Sequence, residues 1–434
     1  MTIIKPELME NLTKERKEAI LRRSMEDISA IYLDVRDIVL DIQKRGDIVS
    51  IEHYAKFKDD ISSDDLVVTK EEIEKAYDSI DNKVIDALKV AAKNIEKFHK
   101  AQLGREMWSM EIMEGITVGR LTRPMDAIGA YLPGRKAIYP SSVLMTIIPA
   151  KVAGVEKVIA CTPPDIGMIA SDPVLVAADI AGADHIVKIG GPWAIASMAF
   201  GTECVPKVHK IVGPGNKYVT AAKMIVFGEI DIDSPAGPSE VLILADESAD
   251  PHLVAVDLLS QVEHDENNAG VLVSTSAQLA EEVCEIINKE IEDMPRKEII
   301  KESLSNNSAV LIADNMKNAI DFTNDYAAEH LQIVTAEPFA ILPQIKHAGS
   351  IFLGAYSPVP VGDYASGTNH VLPTGQCAKM FSGLSVDDFI KKPTFQYLTK
   401  DGLSKLKDTV ITIAEAEGFY MHARTIKERF IDRQ

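Results

Sequence analysis

The chain is expected to be an α/β protein in which two Rossmann-like parallel sheets follow one another, framed by helical segments at both ends. Three observations predict this. From residue 143 to 237, short apolar strands alternate with helical patterns: "SSVLMTIIPAKVAG" then "KVIACTPP", "DPVLVAADIAGA" then "HIVKIGG", "PWAIASMAFG" then "VHKIVGPGN". A second series repeats the theme: "EVLILAD" (240–246), a helix over 251–264, "GVLVST", a helix over 277–291, "AVLIAD" and "SIFLG". Parallel strands need crossovers, usually helices, so this alternation reads as sheets covered on both faces. Finally, residues 7–102 and the last fifty carry helical patterning, and neither stretch alternates.

Taken in order, "PELMENLTKERKEAILRRS" and "VIDALKVAAKNIEKFHKAQ" put charged residues on one face and aliphatic ones on the other, the signature of amphipathic helices. "ITVGRLTRPMDAIGAYLPG" changes character, with β-branched residues, prolines and glycines that predict a strand or two and a sharp loop. The two alternating series follow. After "HVLPTGQCAKMFSGLSVDDF" the chain returns to short helices, among them "VITIAEAEGFYMHARTIKERF".

With 434 residues, 46% of them apolar, the chain has material for about three domain-sized units and proper cores. The net charge of −19 argues against nucleic acid as a partner and toward small molecules. The N-terminus lacks the layout of a signal peptide, and charges interrupt every apolar run before the roughly 20 residues of a membrane span, so a cytoplasmic enzyme is expected. Cys161, Cys204, Cys284 and Cys377 form no CxxC pair and read as small, partly buried side chains.

Several polar clusters sit at junctions of apolar elements. "VGPGNKYV" (212–219) runs a strand through a Gly-Pro-Gly turn into a helix, which suits a phosphate at the helix N-terminus; a turn needed only by the fold, with Asn216 as helix cap, reads equally well. In "LLSQVEHDENN" (258–268), Gln261 and His264 lie one turn apart if 251–264 is helical, so an amide oxygen and an imidazole nitrogen can converge on a metal; a histidine at a helix end also suits the dipole. "DYAAEHLQIV" sets Glu329 and His330 side by side before an apolar strand, two proton-transfer groups of different basicity. "PVGDYASGTNHVLPT" places Asp363 and His370 in a loop, where scaffolds present functional side chains, and "EAEGFYMHARTIKER" places Glu417 and His422 around a glycine. Taken together, these clusters point to one shared site.

On "VGPGNKYVTAAK", "PAGPSEVLILAD", "LLSQVEHD", "AAEHLQI" and "GDYASGTNHVLPT", the chain resembles histidinol dehydrogenases over essentially its full length. The resemblance implies an aldehyde-dehydrogenase-like pair of Rossmann-like domains. Its boundaries would be an N-terminal helical extension (1–24), a first domain (25–130 plus 240–383) with the metal and acid–base residues, a second, cofactor-side domain (131–239), and a C-terminal dimerisation segment (384–434). It implies Zn²⁺ on Gln261, His264, Asp363 and His422, a ligand set of oxygen and nitrogen donors that suits that ion. It implies Glu329 and His330 as the acid–base pair, and substrate contacts from Ser239, His370 and Glu417 besides His330 and the metal ligands. Tyr131, Trp193 and Asn216 fall at cofactor positions, the cofactor being NAD. The implied reaction is the four-electron oxidation of L-histidinol to L-histidine through the aldehyde, in a homodimer whose C-terminal segments are swapped so that Glu417 and His422 reach the partner's site, and without a catalytic cysteine at Cys377.

Two departures bear on the cofactor. "GGPWAIA" has Trp193 where the family commonly has glutamine, and an indole stacks but lacks an amide's paired hydrogen bonds; "YLPGR" has Arg135 in place of a glycine. The alternative within the family is a dehydrogenase for another small alcohol such as a sulfonated propanediol. Glu417 argues against it, since a carboxylate repels a sulfonate and suits an imidazole N–H or a cation.

Overall fold

Residues 3–23, 29–134, 138–234 and 237–431 are described by a computed structural model; Arg135 falls outside them. The chain divides into two compact units, Met1–Gln102 with Asp126–Phe389, and Leu103–Met125 with Ile390–Gln434. In chain order the strands are β1 (Pro6–Leu8), β2 (Met107–Met113), β3 (Ile116–Leu121), β4 (Arg123–Pro124), β5 (Ala127–Tyr131), β6 (Lys157–Cys161), β7 (His185–Val187) and β8 (Lys210–Val212). They continue with β9 (Asp231–Ile232), β10 (Glu240–Ala245), β11 (Ala269–Ser274), β12 (Ala309–Ile312), β13 (His330–Val334), β14 (Ser350–Leu353), β15 (Ile390–Lys391) and β16 (Thr394–Leu398).

The first unit holds two all-parallel sheets, ordered β7-β6-β5-β8-β9 and β1-β12-β11-β10-β13-β14. The expected pair of Rossmann-like sheets is therefore present. Apart from the edge strand β1, in each the chain starts in the middle, winds outward one way and then returns to build the other side, which leaves a switch point at β5/β8 and at β10/β13. Burial on both faces explains why "EVLILA" and "AGVLVS" read as unbroken apolar runs. Val241, Ile243 and Ala245 of β10 face a core with the helices Pro251–Val262 and Ala277–Glu290, while Leu242 and Leu244 face another with Ile20 and the helix Met316–Tyr326.

The lead-in departs from an all-helical reading. Pro6–Leu8 is a strand that extends the six-stranded sheet beside β12, and the helix begins only at Lys14, where the Thr13 hydroxyl caps the Arg16 N–H. Val35, Val39, Ile42, Val49 and Tyr54 share a core with Ala127, Tyr131 and Ile211, so the helices Tyr32–Arg45 and Asp47–Tyr54 cover the five-stranded sheet, whereas the sequence-based boundaries group 25–130 with 240–383. The expected boundary at 130/131 cuts the end of β5.

In the second unit β16, β3 and β2 form an antiparallel sheet and β15 pairs with β4. The C-terminal region is thus helical only from Lys400, through the helices Lys400–Ala416 and Tyr420–Lys427. β2 is an edge strand exposed along its whole length, with Met107, Trp108, Met110, Ile112 and Met113 all open. Among the described residues, no helix is long and apolar enough to cross a membrane.

Candidate active site

Glu329 and His330 stand at the amino end of β13, next to the amino end of β10, at the switch point of the six-stranded sheet. The preceding helix, Met316–Tyr326, stops at Ala327 in a left-handed conformation (φ +50°), which turns the chain so that Glu329 and His330 enter the strand together. Gly349 passes so close that a Cβ there would lie 2.6 Å from the Glu329 carbonyl oxygen, so only glycine lets the start of β14 run beside the pair.

Both side chains are buried. The Glu329 carboxylate accepts from the Ser239 hydroxyl at 2.5 Å and from the Glu240 N–H at 2.9 Å, both on the same oxygen, Oε2. Ser239 in turn accepts the Gln261 Nε2 amide at 2.7 Å. His330 Nδ1 lies 3.0 Å from the Glu240 carbonyl, which can only accept, so Nδ1 carries a proton and Nε2 holds the free lone pair of the neutral ring. Nε2 is buried, faces Asp363 Oδ1 at 3.5 Å, and finds no hydrogen-bond partner among the described residues.

The electrostatics follow from this packing. Burial raises Glu329 above the usual carboxylate range, with His330 and Ser239 pulling the other way. Burial pulls the His330 imidazole down, but the Glu329 and Asp363 carboxylates outweigh it and hold the group up at about 9. Two adjacent groups with displaced proton affinities in a buried niche are what acid–base chemistry needs.

The helix Pro251–Val262 starts at the Asp250 cap with proline in its first turn, and Asp257 accepts from the buried Gln332 amide of β13 at 2.7 Å, one turn before Gln261. That pin sets Gln261 against Ser239. Because its amide nitrogen is engaged there, the carbonyl oxygen is the atom left to meet a ligand. His264 does not share this helix: Val262 is its last residue and Glu263 its cap, so the imidazole lies beyond the end, exposed. Glu263 keeps right-handed helical backbone angles (φ −75°, ψ −16°), so the one-turn spacing of Gln261 and His264 is retained at the helix end.

Asp363 lies in the last turn of the short helix Val359–Tyr364, and its backbone carbonyl accepts His370 Nδ1 at 2.8 Å. His370 Nε2 meets the Ser142 hydroxyl at 3.0 Å. Burial lowers His370 and keeps it neutral, so the ring ties the Asp363 loop to the helix Pro140–Ala153 of the five-stranded sheet. Glu417 and His422 belong to the second unit, at the end of Lys400–Ala416 and within Tyr420–Lys427, and both are exposed. Among the described residues, no three His, Cys, Asp or Glu side chains gather into a metal-sized cluster. The expected zinc ligands include only His264 and Asp363 of those types in the first unit, with the Gln261 amide and His422 completing the set. The donor chemistry fits zinc: an amide oxygen turned from its hydrogen bond, a carboxylate beside an unpartnered imidazole nitrogen, and an exposed imidazole.

The residues expected to meet a cofactor, Tyr131, Trp193 and Asn216, lie at the carboxyl end of the five-stranded sheet, where such folds open their crevice. Tyr131 ends β5 and its hydroxyl accepts the Gly191 N–H at 3.2 Å. Trp193, in the first turn of Gly191–Phe200, stacks on His53 with ring centroids 3.7 Å apart, so one face of the indole is already covered. Asn216 caps the helix Lys217–Val226 by accepting from the Tyr218 and Val219 N–H groups, the structural alternative open at the sequence level. Gly213, at φ +116°, packs its backbone against the Tyr131 carbonyl where no side chain has room, which accounts for the first glycine of the turn. Cys377 is half-buried, and burial pushes its thiol up, the opposite of an activated nucleophile.

The sequence reading missed Glu240, Arg23 and Ser142. Glu240 had a signal, an acid opening a fully apolar strand; Arg23 and Ser142 had none.

The histidinol dehydrogenase family model matches residues 21–430. The chain is 48% identical over 417 residues to the histidinol dehydrogenase of Methanothermobacter thermautotrophicus, covering 96% of this chain and 97% of that one. It is 50% identical over 419 residues to that of Methanococcus maripaludis, covering 96% and 98%. The crystal structure of histidinol dehydrogenase from Elizabethkingia anophelis superposes with a TM-score of 0.93 at 37% identity, covering 99% of this chain and 98% of that one.

Proposed function

The chain belongs to the histidinol dehydrogenase family and is an oxidoreductase, and from that premise we propose that it converts L-histidinol to L-histidine through L-histidinal in the cytoplasm, reducing two NAD⁺ in succession, with zinc, at sites shared by two copies of the chain. The observation that carries this reading is the continuous hydrogen-bonded chain Gln261–Ser239–Glu329–Glu240–His330, which links an expected metal ligand to both members of the acid–base pair.

His330 Nε2 accepts the hydroxyl proton of the alcohol as hydride leaves the carbon for the nicotinamide, giving the aldehyde. Glu329 then takes a proton from water, whose oxygen bonds to the aldehyde carbon; the hydrate loses a second hydride to a second NAD⁺ and becomes the carboxylate. Gln261, His264, Asp363 and His422 would hold the zinc, which would supply Lewis-acid anchoring of the substrate. With Asp363 committed to a cation, one of the two carboxylates that lift His330 is spent elsewhere, which favours the neutral imidazole the first step requires. Ser239, His370 and Glu417 line the substrate's place; Tyr131, Trp193 and Asn216 meet NAD. Residues 131–239 serve the cofactor, 240–383 the metal and proton transfers, and 384–434 dimerisation.

We expect two NADH per L-histidinol consumed, with histidine as product, measured by absorbance and chromatography beside the same assay with a sulfonated propanediol. One NADH per histidinol, or turnover of the diol alone, rejects the four-electron reading or its substrate.

The exposed edge strand β2, with its methionines and Trp108, and the open Phe419, Tyr420 and Met421 support a second copy of the chain as partner. If Glu417 and His422 serve the partner's site, then co-expressing Glu329→Gln with His422→Asn, each deficient in histidine formation alone, should restore histidine formation in about a quarter of all sites under random pairing. Complete absence of complementation in verified mixed dimers removes the shared-site arrangement.

A further inference from the structure

We propose that Arg23 is a positioning residue for catalysis: by holding Glu240, it fixes the placement of both Glu329 and His330. The inference rests on the reading of those two residues as the acid–base pair.

Arg23 follows the helix Lys14–Arg22 in a left-handed conformation (φ +51°, ψ −161°) that L side chains seldom adopt, and its side chain turns inward to only 4% exposure. Its guanidinium makes four contacts. Nε pairs by charge with Glu240 Oε2 without hydrogen-bond geometry, Nη2 donates to the Tyr326 carbonyl at 2.7 Å, Nη1 donates to the Leu21 carbonyl at 3.1 Å, and the guanidinium carbon lies over the Tyr326 ring, 3.4 Å from its centre. The Tyr326 carbonyl is at the C-terminal end of the helix that delivers Glu329, so the cation both ends that helix and grips the strand beside it.

Glu240 touches the acid–base pair at three points. Its Oε1 accepts the Glu329 N–H at 3.1 Å, its N–H donates to the Glu329 carboxylate at 2.9 Å, and its carbonyl accepts His330 Nδ1 at 3.0 Å. The side chain has 2% exposure, and burial pushes it up to about 7 against the pull of Arg23. Without the guanidinium, a buried carboxyl next to Glu329 would be left without its cation. It would then shift or take up a proton, which disturbs its bond to the Glu329 N–H and, through the start of β10 that carries it, the backbone N–H and carbonyl that meet Glu329 and His330.

A role confined to stability and a role in positioning separate in the double variant Arg23→Met/Glu240→Met. Replacing a buried ion pair by apolar groups of similar length restores stability in many proteins. We expect its thermal midpoint to return toward the parent value while kcat stays down roughly tenfold to a hundredfold with KM for histidinol little changed. Arg23→Lys, which keeps the charge and loses the fork, should recover part of kcat. A double variant with parental kcat, or one whose loss is entirely in KM, overturns the proposal. If Arg23→Met does not fold, Arg23→Lys and the double variant carry the comparison. Glu329→Gln and His330→Asn belong in the same assay: if both keep parental kcat, the acid–base reading itself has failed, whereas their inactivity beside a fully active double variant removes only the role of Arg23.

Discussion

Glu329→Gln is expected to slow oxidation of L-histidinal by roughly 10²–10⁴-fold while slowing oxidation of L-histidinol to the aldehyde much less, and His330→Asn is expected to slow the alcohol step by a similar factor. The asymmetry follows from how each group is held. A glutamine at 329 can still accept from the Ser239 hydroxyl and the Glu240 N–H through its carbonyl oxygen, so the local bonds survive and only the base that activates water is lost. His330 presents Nε2 as the unpartnered atom, with Nδ1 committed to the Glu240 carbonyl, and the side-chain amide of asparagine provides no comparable base. Single-turnover NADH formation from each substrate separately measures the split. Equal losses in both half-reactions for Glu329→Gln would count against the water-activating role.

His264→Asn should lose metal and activity together, by more than the roughly 10–100-fold that outer partners of a metal site cost. His264 is the cleanest ligand to test, because its side chain lies exposed beyond the end of the helix Pro251–Val262 while its backbone carbonyl accepts from Arg296 Nη2 at 3.1 Å. Folding should be unaffected. Metal content by elemental analysis, run beside kcat on zinc-replete and chelated protein, decides the matter: parental activity with stoichiometric zinc retained takes His264 off the ligand set, and parental activity in the fully chelated protein removes the metal from the mechanism.

The two parallel sheets were legible because their strands are buried on both faces, so "EVLILA" and its neighbours carry no polar interruption. Glu329, His330, Asp363 and Gln261 were legible for the converse reason: polar groups at the ends of such runs stand out. What escaped depended on partners distant in sequence. Pro6–Leu8 is too short to show a period, and its pairing with β12 makes it a strand. Trp193 reads as an open stacking platform until His53, from the helix Asp47–Tyr54, covers one face. Arg23 looks like any basic residue ending an amphipathic helix. The strand Thr394–Leu398 was missed although "TFQYL" alternates, because the helical patterns around it set the expectation. The helix expected over 251–264 closes at Val262 with Glu263 as its cap, still in helical conformation.

The attachment of β1 to β12 has a temporal meaning. Pro6 pairs with Val310, so β1 leaves the ribosome and waits for a partner roughly 300 residues behind it. At about 5–20 residues per second, that delay is on the order of 15 to 60 seconds. The sheet must grow from β10 outward before its last edge can receive the N-terminal strand, and Arg23 sits on the same segment, opposite Glu240 and Tyr326. A nascent chain therefore completes this docking only after β12 has been made, and Glu329 and His330 acquire the support of Arg23 no earlier than Tyr326 is made.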